Sequence, residues 1–244
     1  MNISGSGSVA AGEYNERISI SGSGKINGNV RCIGVSCSGS MRSVGNLECS
    51  ENVGVSGSAH FEKSIAADNV SVSGSVRVDE DINAKGSVKI SGSAKIGGSV
   101  KCSLLSCSGS VDIGGEGEAE EIRISGRINC AGLLNAEKIA IRLDGFNVTS
   151  KIGSIGGGEI MIRNDRTGER ISRLPLFKKL VGNGGAVCVD ELIEGDVVAI
   201  ESVKSPKVVG RVVAIGADCE IDLVQYSEEI EIDPNARVAK YEKM

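Results

Sequence analysis

Between Ile18 and Lys138, apolar residues come in pairs two positions apart, and a new pair begins every six residues. In the copy from Val88 to Leu104 these are Val88 with Ile90, Ala94 with Ile96, and Val100 with Cys102. The same six places recur through seven copies centred on Ser-Gly-Ser (Ser-Gly-Arg in the last). Their central glycines, Gly22, Gly39, Gly57, Gly74, Gly92, Gly109 and Gly126, lie 17 or 18 residues apart. Only Gly24, Ser43 and Gly117 break the apolar columns, and no column member is charged. Side chains two apart share one face of a strand. Three pairs per copy therefore predict three short strands per winding, with windings stacked about 4.8 Å apart. The pattern predicts a parallel β-solenoid with triangular turns of 17–18 residues; the i, i+3, i+4 stripe of an amphipathic helix is absent.

Outside the regular body the beat loosens. Residues 1–17 predict an imperfect first coil: Met1, Ile3 and Val9 fit inward columns, but Glu13 and Asn15 fall on inward places. A buried unpaired carboxylate is costly, so the third face of this coil is expected to fray or turn outward. The acidic run Gly114–Glu121 predicts a solvated, Gly-rich loop. Ile139-Ala-Ile141 opens an eighth turn before the period is lost. Residues 1–145 are taken as the solenoid body and 146–192 as an insertion or cap. Within the insertion Ile160–Ile162 is a candidate strand, Asn164–Gly168 a turn, Leu174–Leu180 an irregular or helical piece, and Gly182–Gly185 a plain turn. That last stretch lacks the lysine and frame of a phosphate loop. From 193 to 244 the 17-residue interval returns, in Val198, Ile215 and Ile232, in Val213 and Ile230, and in Ile221 and Val238, ahead of a polar tail from Lys240.

Composition sharpens this picture. With 2% aromatic residues and no Trp, the core must be built from Val, Ile, Ala and Cys, which suits a narrow solenoid. A net charge of -5 argues against nucleic-acid binding. No apolar run reaches membrane-span length and no signal peptide opens the chain, which points to the cytoplasm. Six of the eight cysteines occupy apolar columns and read as small buried hydrophobes. Cys32 and Cys49, one turn apart in one column, are the single pair worth testing for oxidation or metal capture. No C-x-x-C occurs, and no cofactor or metal site is expected. The serines flanking each corner glycine are structural: a residue repeated at every bend is not a nucleophile.

The segments Ile90-Ser-Gly-Ser-Ala-Lys-Ile-Gly-Gly-Ser-Val-Lys-Cys102 and Ile20-Ser-Gly-Ser-Gly-Lys-Ile-Asn-Gly-Asn-Val-Arg-Cys32 resemble the repeat of bactofilins, bacterial polymer-forming cytoskeletal proteins. The stretch from Gly195 to Tyr226 is similar to the C-terminal part of longer bactofilin-like proteins of Gram-positive bacteria. The resemblance implies a right-handed parallel β-helix that assembles end to end into filaments without nucleotide. Its partner would be itself, with membrane surface or cell-wall enzymes reached through adaptors. The repeat begins at once, without the short apolar or Pro-rich leader that this family associates with membrane attachment.

Three functional classes can be weighed on the residues. A structural polymer would use the weakly capped ends, with Met1, Ile3 and Val9 at one and Ile230, Ile232 and Val238 at the other as candidate contacts. A non-polymerising binding module would use a basic edge, Lys25, Arg42, His60, Arg77 and Lys95, for an anionic partner such as lipid headgroups or an acidic protein; Glu62 and Asp79 lie close enough to offset it. A hexapeptide-type acyltransferase would need a general-base His. The single His, His60, sits on the outward side, and the 17/18 alternation departs from that family's strict six-residue beat. The structural reading is favoured, with no catalytic residues.

Overall fold

The computed structural model describes residues 1–143, 149–163 and 185–244. Among them there is no helix; every regular element is a strand, and every pairing described is parallel. The described residues form two compact units, Met1–Glu120 and Glu121–Met244.

In the first unit each regular winding has three short strands, as in Asn69–Val72, Ser75–Val78 and Ile82–Ala84. Each pairs in register with its counterparts one winding before and after. The inward files are continuous. Ile20, Cys37, Val55, Val72, Ile90 and Cys107 lie directly opposite one another in that order. All 42 predicted column members except Gly24 and Ala119 are buried. Ser43, the one polar intruder, is fully buried between Ile26 and Phe61, and its hydroxyl donates to the Gly45 carbonyl at 3.3 Å. A small residue there leaves room for Phe61, the largest fully buried side chain.

The corner glycines are needed for space. None of them has a φ in the left-handed region; among the described glycines that is confined to Gly12 and Gly28. The carbonyls of Gly22, Gly39, Gly57, Gly74 and Gly92 instead point at the next winding and each accepts a serine N–H, Ser75 N to Gly57 O at 2.9 Å for example. A Cβ built on Gly74 would lie 2.0 Å from that same oxygen.

The first coil pairs along its length, and its irregularity is a register shift. Ala10 lies opposite Asn27 but Gly12 lies opposite Val30, so Glu13 faces Arg31 instead of Val30. A one-residue shift exchanges the two faces of a strand. Glu13 is thereby turned outward, where it meets Arg31 at 3.0 Å. The acidic run is likewise ordered: from Gly117 it is strand, Gly117 is buried opposite Val100, and Glu118 is paired with Lys101 at 2.8 Å. Glycine's lack of a side chain lets this strand follow the column where a loop was expected.

The second unit has longer strands that run through the corners, Arg127–Arg142, Thr149–Arg163, Ala186–Ile200, Val203–Ile215, Glu220–Ile232 and Arg237–Lys243. Its windings vary in length. Ile139 lies opposite Ile160, Val198 opposite Val213, and Ile221 opposite Val238. Of the stretch expected to interrupt the solenoid, residues 149–163 and 186–192 are strands of this stack; the period is lost because paired residues lie 21 or 22 positions apart at one step and 37 or 38 at the next. Residues 164–184 lie outside the described residues, with the expected turn at Asn164–Gly168, the piece at Leu174–Leu180 and most of the turn at Gly182–Gly185. Val198 faces Val213 and not Ile215, because that winding is two residues short, and a two-residue change keeps side chains on the same face. The expected polar tail is strand as well: Leu223 faces Lys240 and Val224 faces Tyr241.

Candidate functional site

Two kinds of feature stand out on an otherwise closed stack, and the first is the open strand edge of each unit. Strands Asn2–Ile3 and Ser6–Glu13 each have a single neighbour among the described residues. Ile3 lies over Ile20 and is half-buried, Val9 lies over Ile26 and is buried, and Met1 is exposed. The Met1 ammonium is tied to Glu16 and to the Arg17 carbonyl. In the second unit, strand Arg237–Lys243 also has one neighbour. The inward files Ile139–Ile160–Val198–Val213 and Ile141–Ile162–Ile200–Ile215 end on Ile230 and Ile232, which are half-buried because no strand covers them. Val238, over Ile221, is half-buried for the same reason. Tyr241 stands on the file of the buried Val224 yet is 58% exposed. Sequence reading assigned it to a polar tail, although the 17-residue interval from Val224 was a usable signal.

The second feature is the basic edge. Lys25, Arg42, His60, Arg77 and Lys95 stand opposite one another in consecutive windings, and Asp112 continues the file. Its charge is largely spoken for. Arg42 meets Glu62 at 2.5 Å, and Asp79 receives both Arg77 at 2.6 Å and His60 Nε2 at 2.8 Å. The Arg77 and then the His60 hydrogen bonds hold the Asp79 carboxyl below its usual range. Lys25 and Lys95 make no ion pair among the described residues. Elsewhere the outward rungs alternate in sign between windings, Arg31 with Glu48, Lys63 with Glu80 and Arg211 with Glu228. Such exposed pairs contribute about 0–1 kcal/mol each.

The thiols are mostly withdrawn. Burial pushes Cys102, Cys107 and Cys219 up to about 11. Cys32 and Cys49 are different, with sulfurs 3.5 Å apart. Their hydrogen bond lowers Cys32 and, with burial, raises Cys49, so the pair titrates as a unit. Among the described residues no group of three or more His, Cys, Asp or Glu is placed to hold a metal ion. No helix among them is long and apolar enough to cross a membrane.

Residues 42–118, the heart of the first unit, match the family model for bactofilins, described as polymer-forming cytoskeletal. Over this segment the chain is similar to bactofilins. Two curated proteins from Bacillus subtilis (strain 168) are also similar to part of this chain. The uncharacterized protein YhbE is 34% identical over 114 residues, 47% of this chain and 44% of that protein. The uncharacterized protein YhbF is 28% identical over 113 residues, 46% of this chain and 42% of that protein. The matched region thus spans less than half the length of either. No solved structure gives a significant match. The bactofilin-type segment contains Arg42, His60, Arg77 and Lys95 of the basic edge, whereas both open strand edges fall outside it.

Proposed function

We propose that this bactofilin-like chain is a structural scaffold that self-assembles, its windings stacking end to end into filaments that need no nucleotide. The observation that carries this reading is the pair of open strand edges backed by incompletely covered apolar files, Ile3 at one and Ile230, Ile232, Val238 and Tyr241 at the other. An open edge offers unpaired N–H and C=O groups along a ready template. Covering the apolar ends adds about 25 cal/mol for each Å² removed from water. The cytoplasm is the proposed compartment, and adaptors to the membrane surface or to cell-wall enzymes are proposed further partners.

Electron microscopy and sedimentation of the purified full chain in nucleotide-free buffer test the proposal. Filaments whose mass rises with protein concentration are expected. A chain that stays monomeric at high concentration would overturn it. The in-register basic file supports a second reading, an edge for an anionic partner, with Lys25 and Lys95 as its unengaged cations. Reversing Arg42, Arg77 and Lys95 to glutamate should then abolish co-sedimentation with anionic vesicles; unchanged binding would dispose of the edge.

A further inference from the structure

Cys32 and Cys49 are the one pair of cysteines set directly opposite each other on neighbouring strands of the described residues. Strands about 4.8 Å apart place in-register Cα atoms inside the roughly 4.4–6.8 Å that a disulfide spans, and the two sulfurs already touch at 3.5 Å. The other body cysteines lack such a neighbour: Cys37 faces Ile20 and Val55, and Cys107 faces Ile90. The pair is reachable from the Cys49 side. Cys49 lines a solvent-open groove of about 480 Å³ floored by Ala66, Ala67 and Ala84 and rimmed by Arg31 and Lys101. Small residues at this place in the neighbouring windings leave the Cys49 thiol next to a gap that admits a small oxidant, with Cys32 directly behind it.

We propose that Cys32 and Cys49 are an oxidation site, closing to a reversible disulfide between two windings with hydrogen peroxide as oxidant. The Cys32 thiolate, its sulfur 3.5 Å from that of Cys49, attacks a peroxide oxygen. The O–O bond breaks, the departing hydroxide takes a proton to become water, and Cys32 is left as a sulfenic acid. The Cys49 sulfur then attacks the Cys32 sulfur. An S–S bond forms, the S–O bond breaks, and hydroxide leaves as water with the Cys49 proton. Two thiols and one peroxide give one disulfide and two waters; a dithiol reductant reverses the change. The link ties together the two windings that support the first coil and its open edge, restricting the unfolded chain as any short-loop crosslink does.

The test uses the full chain, exposed to hydrogen peroxide, quenched with catalase, alkylated under denaturing conditions and mapped by mass spectrometry. The expected result is loss of two of the eight thiols, a linked peptide joining Cys32 to Cys49 within one chain, and full recovery with dithiothreitol. Cys32→Ala, a residue already present in this column at Ala67 and Ala84, should fold with unchanged circular dichroism and keep all of its thiols. In Cys49→Ala, the sulfenic acid on Cys32 should persist and be trapped by dimedone. Eight alkylated thiols after peroxide, a link at any other cysteine or between chains, or sulfinic acid at Cys32 without a link would each overturn the site. Because the link is intrachain, the outcome is independent of whether the chain forms filaments.

Discussion

At the scale of single residues, close approach and burial govern the body. A methyl on Gly74 would collide with the Gly57 carbonyl, which already accepts the Ser75 N–H, so both a steric contact and a hydrogen bond are at stake. Gly74→Ala should cost about 1–3 kcal/mol, the usual penalty for forcing atoms into a packed site. Gly54 faces outward with only the Val35 carbonyl at 4.0 Å, so Gly54→Ala should be neutral or slightly stabilising. Urea midpoints of the two variants check the contrast, and equal effects would show that the corners are not close-packed. Burial also sets a pH dependence. Cys102, Cys107 and Cys219 sit near 11 against an ordinary value of 9.0. Their neutral thiols favour the folded state fully below pH 9, and this contribution is lost as pH rises towards 11. Each accounts for about 2–3 kcal/mol. Unfolding curves from pH 8 to 11 should show that loss, and Cys102→Ala, with alanine already native to its column, should remove about a third of it.

At the scale of elements, register decides what a side chain sees. Glu13 lies 17 residues before Val30, so simple periodicity places it in the core, and a valine there would then be stabilising by about 1.5–3 kcal/mol. The shift between Ala10 and Gly12 sets it opposite Arg31 instead. Glu13→Val should therefore change stability by no more than about 1 kcal/mol, the worth of an exposed ion pair. A gain beyond that in thermal or urea unfolding would mean the strand had kept its 17-residue register. The same logic explains what the sequence could and could not disclose. In the first unit the columns of Ile20 and Val88 were legible because every winding keeps its length to within one residue. In the second, windings near Ile160 are long and the one at Val198 is short, so constant spacing pairs Val198 with Ile215 and discloses only Ile160–Ile162 of the strand Thr149–Arg163. The basic file was legible as a ladder. Its neutralisation by Glu62 and Asp79 needed side-chain geometry to establish, because a residue two places along the strand reaches it only through particular rotamers.

At the scale of the whole molecule, two open edges and two incompletely covered apolar ends must either stay in water or be covered by another copy. The interior contributes nothing further to assembly, since its files are buried and its outward rungs are paired between windings. Assembly should therefore be sensitive at Ile3, Ile230 and Tyr241 and insensitive along the faces. A lysine at Ile3 or at Ile230 places a charge where a second copy would have to desolvate it, at a cost of several kcal/mol, while each position is already half-exposed in the single chain. Ile3→Lys and Ile230→Lys should accordingly keep the circular dichroism of the parent yet lose filaments in the electron microscope. What remains in solution reports the symmetry of the contact. If each end meets its own kind, a chain blocked at one end still pairs through the other and sediments as a dimer. If one end meets the other, either variant alone stops at the monomer, and mixing the two yields a dimer through the intact pair of ends. Filaments of undiminished length in both variants would place the assembly contact on the faces of the solenoid, and the open edges would then need another explanation.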